Sequence, residues 1–212
     1  MHRTRIKICG VTDESGALAA AEAGADAVGF VFHRESSRNI SPELAWEIAG
    51  MLPPFVSSVG LFVNASVETF TRIEELCPTD LSQLHGDEPE EVVRACGPNI
   101  IKAVRFDPAT IVNDLARWND VEEVSAILVD GSRGGEGTTF DWQKLAAAIE
   151  GVEDFEKKII IAGGLTPGNV GEAIRTVRPW AVDVSSGVEK RPGVKDPALV
   201  AAFCKAVHAA GS

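Results

Sequence analysis

Short apolar runs alternate along the chain with longer segments in which apolar side chains return every three or four residues. The runs are RIKIC (5–9), AVGFVF (27–32), SSVGLFV (57–63), LSQLH (81–85), IIKAVRF (100–106), SAILVD (125–130), KIIIAGG (158–164) and AVDVSSG (181–187). Most are rich in β-branched residues, and several are apolar at consecutive positions, as strands covered on both faces must be. The intervening segments read as amphipathic helices over 13–23, 41–50, 66–76, 88–96, 108–118, 141–150, 167–177 and 196–209. Helix punctuation marks their ends: Thr12 and Asp13 before the first, Gly24 after it, Ser41 with Pro42 at the second, and Pro167 and Pro197 near later starts.

Eight strand runs in strict alternation with eight helical runs require parallel neighbours joined by right-handed crossovers. An open doubly wound sheet also satisfies that alternation. The count of eight favours closure into a (β/α)8 TIM barrel, as do the polar residues recurring at C-terminal strand ends, because closure brings those ends to one mouth. The 212 residues come to about 26 per unit, which suits a compact α/β barrel with short loops and one domain over 1–212.

Composition narrows the function. The chain is 45% hydrophobic and 24% charged, ordinary for a soluble globular protein. No apolar run is long enough to cross a bilayer, and MHRTRIKICG lacks the apolar stretch of a signal peptide, so a cytoplasmic location is expected. A net charge of −11 repels nucleic acid and anionic membranes, leaving a small-molecule partner. A small anionic ligand then needs local positive potential from backbone N–H groups and a few placed cations. Cys9, Cys77, Cys96 and Cys204 form no CxxC pair and lack metal-ligand spacing, so no metal is expected. Three of them read as buried thiols; Cys9 stands apart by position.

The candidate chemistry gathers at strand ends. Gly163 and Gly164 close the seventh run, and Ser185, Ser186 and Gly187 close the eighth. In barrels these two loops often bind phosphate through backbone N–H groups and a short extra helix, here expected over 186–189; the competing reading is two tight turns. Cys9 closes the first run, where it is either an inert buried thiol or a base whose pKa a cationic setting lowers. Asp130 closes the sixth after apolar residues, as a desolvated general acid or a loop cap. The segment 131–139 is glycine-rich and reads as a lid or as surface. Arg38, with Arg34 as competitor, offers a planar fork for a carboxylate, and His85 closes the fourth run. Parity puts Lys7 on the side of Cys9 and Asp183 on the side of Ser185, predicting a Lys7–Asp183 contact beneath the site where strands one and eight meet.

KICG, DAVGFVF, SSRNISP, VGLFVN, QLHG, IKAV, TFDW, GGLTPGNV and VDVSSGVE, in this order from Lys7 to about Asp196, together resemble the phosphoribosylanthranilate isomerase family of tryptophan biosynthesis. The resemblance implies a (β/α)8 barrel that carries out an Amadori rearrangement of N-(5-phosphoribosyl)anthranilate to the 1-deoxyribulose 5-phosphate ketose, without cofactor or metal. It implies Cys9 as general base, Asp130 as general acid, Arg38 on the anthranilate carboxylate, and backbone around Gly163, Gly164, Ser186 and Gly187 on the phosphate. His85, Asp183 and Ser185 complete the expected substrate-binding set. Two departures stand out: SSR in place of the family's usual SPR or SKR, and Gly131 where many relatives carry Ser or Thr. A ring-closing decarboxylase barrel, with Lys7 and Lys102 as its lysines, and a non-catalytic phosphosugar-binding barrel are the competing readings. Monomer and homodimer both suit such a barrel.

Overall fold

The computed structural model describes residues 3–131 and 139–211. The segment 131–139, expected as a lid, lies almost wholly outside them. Among the described residues, eight parallel strands close on themselves: β1 (Arg5–Cys9), β2 (Ala27–Val31), β3 (Ser57–Phe62), β4 (Leu81–Leu84), β5 (Ile100–Arg105), β6 (Val124–Asp130), β7 (Lys158–Ala162) and β8 (Ala181–Val184). Helices α1 (Glu14–Glu22), α2 (Pro42–Ala49), α3 (Val67–Leu76), α4 (Glu90–Cys96), α5 (Ile111–Asn119), α6 (Trp142–Glu150), α7 (Val170–Val177) and α8 (Pro197–Ala210) follow the strands in turn. The expected closed barrel is the observed one, and the open sheet is excluded by the direct pairing of β1 with β8.

Alternation along each strand sorts the side chains into two cores. Ile6, Ile8, Val28 and Phe30 point outward and pack with Ala17, Ala20, Leu115 and Phe203 of the helices. Val59, Ile101, Ala103, Ala126, Leu128 and Ile160 point inward and fill the barrel. Four of the inward residues, Ala103, Ala126, Ala162 and Ala181, are alanine, so polar side chains also fit inside. Lys7 and Asp183 sit opposite each other in the β1–β8 register, and Lys7 Nζ donates to Asp183 Oδ1 at 2.9 Å with both side chains buried. The parity prediction is borne out.

Helix starts follow the caps. Asp13 accepts from the Gly16 amide, Ser41 from Leu44, Ser66 from Thr69, and Asp196 from Ala198 and Leu199. Three helices begin two or three residues later than their periodicity predicts; one is α5, which starts at Ile111 rather than 108, after a turn in which Asp107 accepts from the Ala109 and Thr110 amides. Helix α4 starts at Glu90 rather than 88 because Glu88 is turned inward onto Lys102. Helix α7 starts at Val170 rather than 167 because Asn169 is recruited by the preceding loop, accepting from the Thr166 amide and donating to the Gly164 carbonyl. Strands β7 and β8 end before their glycine and serine tails. Gly163 and Gly164 leave the sheet with φ of +87° and +63°, and Ser186–Val188 form the expected short helix as one 3₁₀ turn. The sequence pattern missed a small hairpin, β9 (Glu189–Arg191) with β10 (Val194–Lys195), turned at Pro192 and Gly193.

The closing ion pair carries a stability prediction. Asp183→Asn leaves the Lys7 ammonium buried without a counter-charge and should cost about 3–5 kcal/mol in urea unfolding. A loss below about 1 kcal/mol, the worth of an exposed pair, would show that the pair does not hold the closure.

Candidate functional site

At the C-terminal ends of the strands lies a cavity of about 1240 Å³. Cys9 comes to it from β1, Asp130 from β6, His85 from the end of β4 and Asp183 from β8. The loops after β7 and β8 add Gly163, Gly164, Ser185, Ser186 and Gly187, and Arg38 enters from the segment after β2. The sequence thus placed its ten candidates around one space. Its competitor Arg34 is exposed and does not line that space.

Cys9 is 4% exposed and packs with Val31 and Leu61. Its neighbour across the sheet is Gly29, where an added Cβ would stand 2.8 Å from the thiol sulfur and 3.2 Å from Lys7 Cε. Only a residue without a side chain leaves room for thiol and lysine together. Burial pushes the Cys9 thiol up, Lys7 pulls it back, Asp183 adds to the rise and Lys195 opposes it; the net direction is up. The expected lowering by a cationic setting is therefore outweighed by desolvation. Burial alone would depress the Lys7 ammonium, but Asp183 and Cys9 together hold it above its ordinary value. Cys77, Cys96 and Cys204 are buried and unpaired, with thiols raised by burial to about 11.

Asp130 is 7% exposed, and His85 Nε2 lies 3.4 Å from its Oδ2. Gln83, fully buried two residues before His85, sets its amide nitrogen 2.7 Å from His85 Nδ1. With the amide donating, Nδ1 is an acceptor and the neutral ring carries its proton on Nε2, toward Asp130. Gly163 makes room for the carboxylate, since a Cβ there would stand 2.5 Å from Asp130 Oδ1. Its left-handed φ also suits glycine. The amides of Gly163 and Gly164 find no acceptor among the described residues, which leaves two N–H groups for an anion.

Arg38 is not a free cation. Glu189 of β9 accepts from its Nε and Nη2 at 2.8 and 2.9 Å. Lys195 of β10 donates to the same carboxylate at 2.8 Å and to the carbonyl and hydroxyl of Ser185 at 3.2 and 3.3 Å. Burial opposes ionisation of Glu189, yet Arg38 and Lys195 hold its carboxyl below the ordinary range. Neither Glu189 nor Lys195 was found from sequence. The available signal was the Pro-Gly pair between them, a turn dipeptide joining two short segments.

Lys102 lies within β5. It points outward, over the Trp118 ring, and donates to Glu88 Oε2 at 2.8 Å and to the Gly86 carbonyl at 2.7 Å. Glu88 in turn accepts from the amides of Asn64 and Gly86. This clasp fixes the loop that follows His85.

The family model described as N-(5'phosphoribosyl)anthranilate (PRA) isomerase matches residues 6–206. The N-(5'-phosphoribosyl)anthranilate isomerase of Nitrosococcus oceani is 46% identical over 209 residues, covering 97% of this chain and 98% of the relative. The crystal structure of phosphoribosyl anthranilate isomerase from Thermotoga maritima superposes with a TM-score of 0.87 at 40% identity, covering 97% of this chain and 99% of that one. A further crystal structure of such an isomerase, in complex with reduced 1-(o-carboxyphenylamino)-1-deoxyribulose 5-phosphate, gives a TM-score of 0.85 at 39% identity with the same coverage.

The Glu88–Lys102 clasp predicts an acid limb. Burial opposes the Glu88 carboxylate, but Lys102 and two amides outweigh it and hold its pKa below the ordinary 4.5. Its stabilising contribution is complete above that unfolded value and is lost as pH falls through the folded one. Urea unfolding should therefore weaken as pH drops below about 4.5, and more shallowly in Glu88→Gln/Lys102→Met. Identical slopes in both proteins would refute this.

Proposed function

The chain belongs to the N-(5'-phosphoribosyl)anthranilate isomerase family, and from that premise we propose that Cys9 and Asp130 are the base and acid of its isomerisation. The enzyme carries out an aldose–ketose rearrangement in tryptophan biosynthesis on a small phosphorylated substrate. The observation that carries the residue assignment is a shared cavity. A thiol from β1 and a carboxyl from β6 enter it from separated arcs of the ring, beside two loops with backbone N–H groups open to an anion.

The proposed sequence begins with the phosphate, held by the amides of Gly163 and Gly164 and by the Ser186–Gly187 turn. Asp130 gives its proton to the furanose ring oxygen. The C1–O bond breaks, and the nitrogen lone pair forms a Schiff base at C1. His85, with its proton on Nε2, stabilises the carboxylate that Asp130 becomes. Cys9, as thiolate, removes the C2 proton, and the electrons of that bond give an enolamine, which tautomerises to the ketone. Lys7 and Lys195 favour the thiolate against burial. Burial sets the thiol above its ordinary value, which makes the thiolate a stronger base once formed. Arg38 presents its guanidinium to the anthranilate carboxylate, and Asp183 holds Lys7 in place beneath the thiol. The local cations and amides supply the positive potential that an acidic chain needs for a doubly anionic substrate.

The cavity is built from one chain, so a monomer or a homodimer serves equally. No helix among the described residues is long and apolar enough to cross a membrane, and a cytoplasmic location is part of the proposal. Ring-closing decarboxylation fits less well. Lys7 is committed to Asp183, Lys102 to Glu88, and Cys9 has no part in that chemistry.

In a steady-state assay, the wild type should isomerise phosphoribosylanthranilate. Cys9→Ser and Asp130→Asn should each lose about 10²–10⁴-fold in kcat, the worth of one general acid or base. An inactive wild type would overturn the reaction, and full activity in either variant would remove that residue from its role.

A further inference from the structure

Arg38 is carried by the segment after β2, but the group that fixes it comes from the far end of the chain. A guanidinium has five N–H groups. The fork to Glu189 uses Nε and one hydrogen of Nη2. The Nη1–Nη2 end remains, finds no acceptor among the described residues, and belongs to a side chain that lines the cavity. That end has the geometry for a second, planar carboxylate.

Glu189 is itself held. Its side chain is 4% exposed, that of Lys195 is 1% exposed, and the two meet at 2.8 Å. Lys195 also ties this pair to Ser185, at the start of the loop beside the phosphate-binding amides. The Arg38 stem passes closely over Gly10, where a Cβ would stand 2.5 Å from Arg38 Cδ. The guanidinium is thus fixed along one edge and along its stem before any ligand arrives. A long cation held only by solvent would lose rotamer freedom on binding, and this one has already lost it on folding.

We propose that Glu189 is a positioning residue, which orients Arg38 for the substrate's aryl carboxylate, and that Lys195 locks Glu189 to the β8 loop so that carboxylate and phosphate are read from one rigid frame. This rests on the reading of Arg38 given above. Glu189 touches no substrate in this account and acts only through Arg38. It also leaves the cluster with one net positive charge rather than two, so the site favours one carboxylate without becoming a general anion trap.

The test uses two substrates prepared from ribose 5-phosphate, one with anthranilate and one with aniline, which lacks the carboxylate. The wild type should prefer the anthranilate compound in kcat/KM, and Arg38→Ala should abolish that preference. Glu189→Gln should lower the preference about tenfold, mainly through KM, while kcat/KM for the aniline compound stays within about threefold, as expected for loss of one charge-assisted orientation. Equal losses on both substrates would mean that Glu189 merely supports the fold, and an unchanged preference would mean that Arg38 needs no such support; either result overturns the inference. If instead Arg38→Ala keeps the preference, the reading of Arg38 fails and this inference fails with it, a result distinct from the other two. Should Glu189→Gln not fold, Glu189→Asp keeps the charge but shortens the fork. Its preference should fall between wild type and Arg38→Ala, and a wild-type ratio would again overturn the proposal.

Discussion

The site depends on how the ring closes. Strand β1 meets β8 with Lys7 opposite Asp183, and the buried contact between them fixes the register of the two strands that carry Cys9 and the Ser185–Gly187 loop. A slip of one residue would turn every side chain on one strand to the opposite face. Cys9 would then point into the helix layer, and the loop after β8 would lose its place beside the loop after β7. The same pair sets a cation beside the thiol and gives it a buried counter-ion. A structural closure thereby becomes part of the electrostatics of the proposed proton transfer.

That electrostatic setting is a balance of large opposing terms. Burial raises the Cys9 thiol, and Lys7 and Lys195 lower it by less, so the net direction is up. The acidic chain concentrates its few useful cations at the mouth and shares each with a carboxylate: Lys7 with Asp183, Arg38 and Lys195 with Glu189. Burial favours loss of a proton from a lone cation and the paired carboxylate opposes it; the carboxylate prevails at Lys7 and Arg38, and burial prevails at Lys195. In the proposed binding mode, the backbone amides of Gly163 and Gly164, which find no acceptor among the described residues, complete the field for a phosphate without adding net charge.

Much of this was legible in the sequence, for identifiable reasons. Strands buried on both faces are written as continuous apolar runs, and eight of them in alternation with helices leave few topologies. Parity along β1 and β8 was enough to foresee Lys7 against Asp183, because a two-residue period and a closed ring leave no freedom there. Cys9, Asp130 and His85 were visible because they end strands, and strand ends share a mouth. What escaped was non-periodic. The β9–β10 hairpin has two strands of three and two residues, too short for any pattern, so Glu189 and Lys195 were unseen. The starts of α4 and α7 were misplaced because Glu88 and Asn169 serve partners outside their helices, and only tertiary contacts reveal that. The rise of the Cys9 thiol was equally hidden, since it is the sum of burial and charges brought together from β1, β8 and β10.

One measurement addresses the central claim directly: a crystal structure of this protein bound to the reduced 1-(o-carboxyphenylamino)-1-deoxyribulose 5-phosphate used with the related isomerase. The account predicts the phosphate between the Gly163–Gly164 and Ser186–Gly187 loops, with sugar C2 about 3.5 Å from the Cys9 sulfur and the Asp130 carboxyl on the opposite side of the sugar chain. A phosphate bound elsewhere, or a Cys9 sulfur directed away from C2 while Asp130 faces solvent, would contradict it.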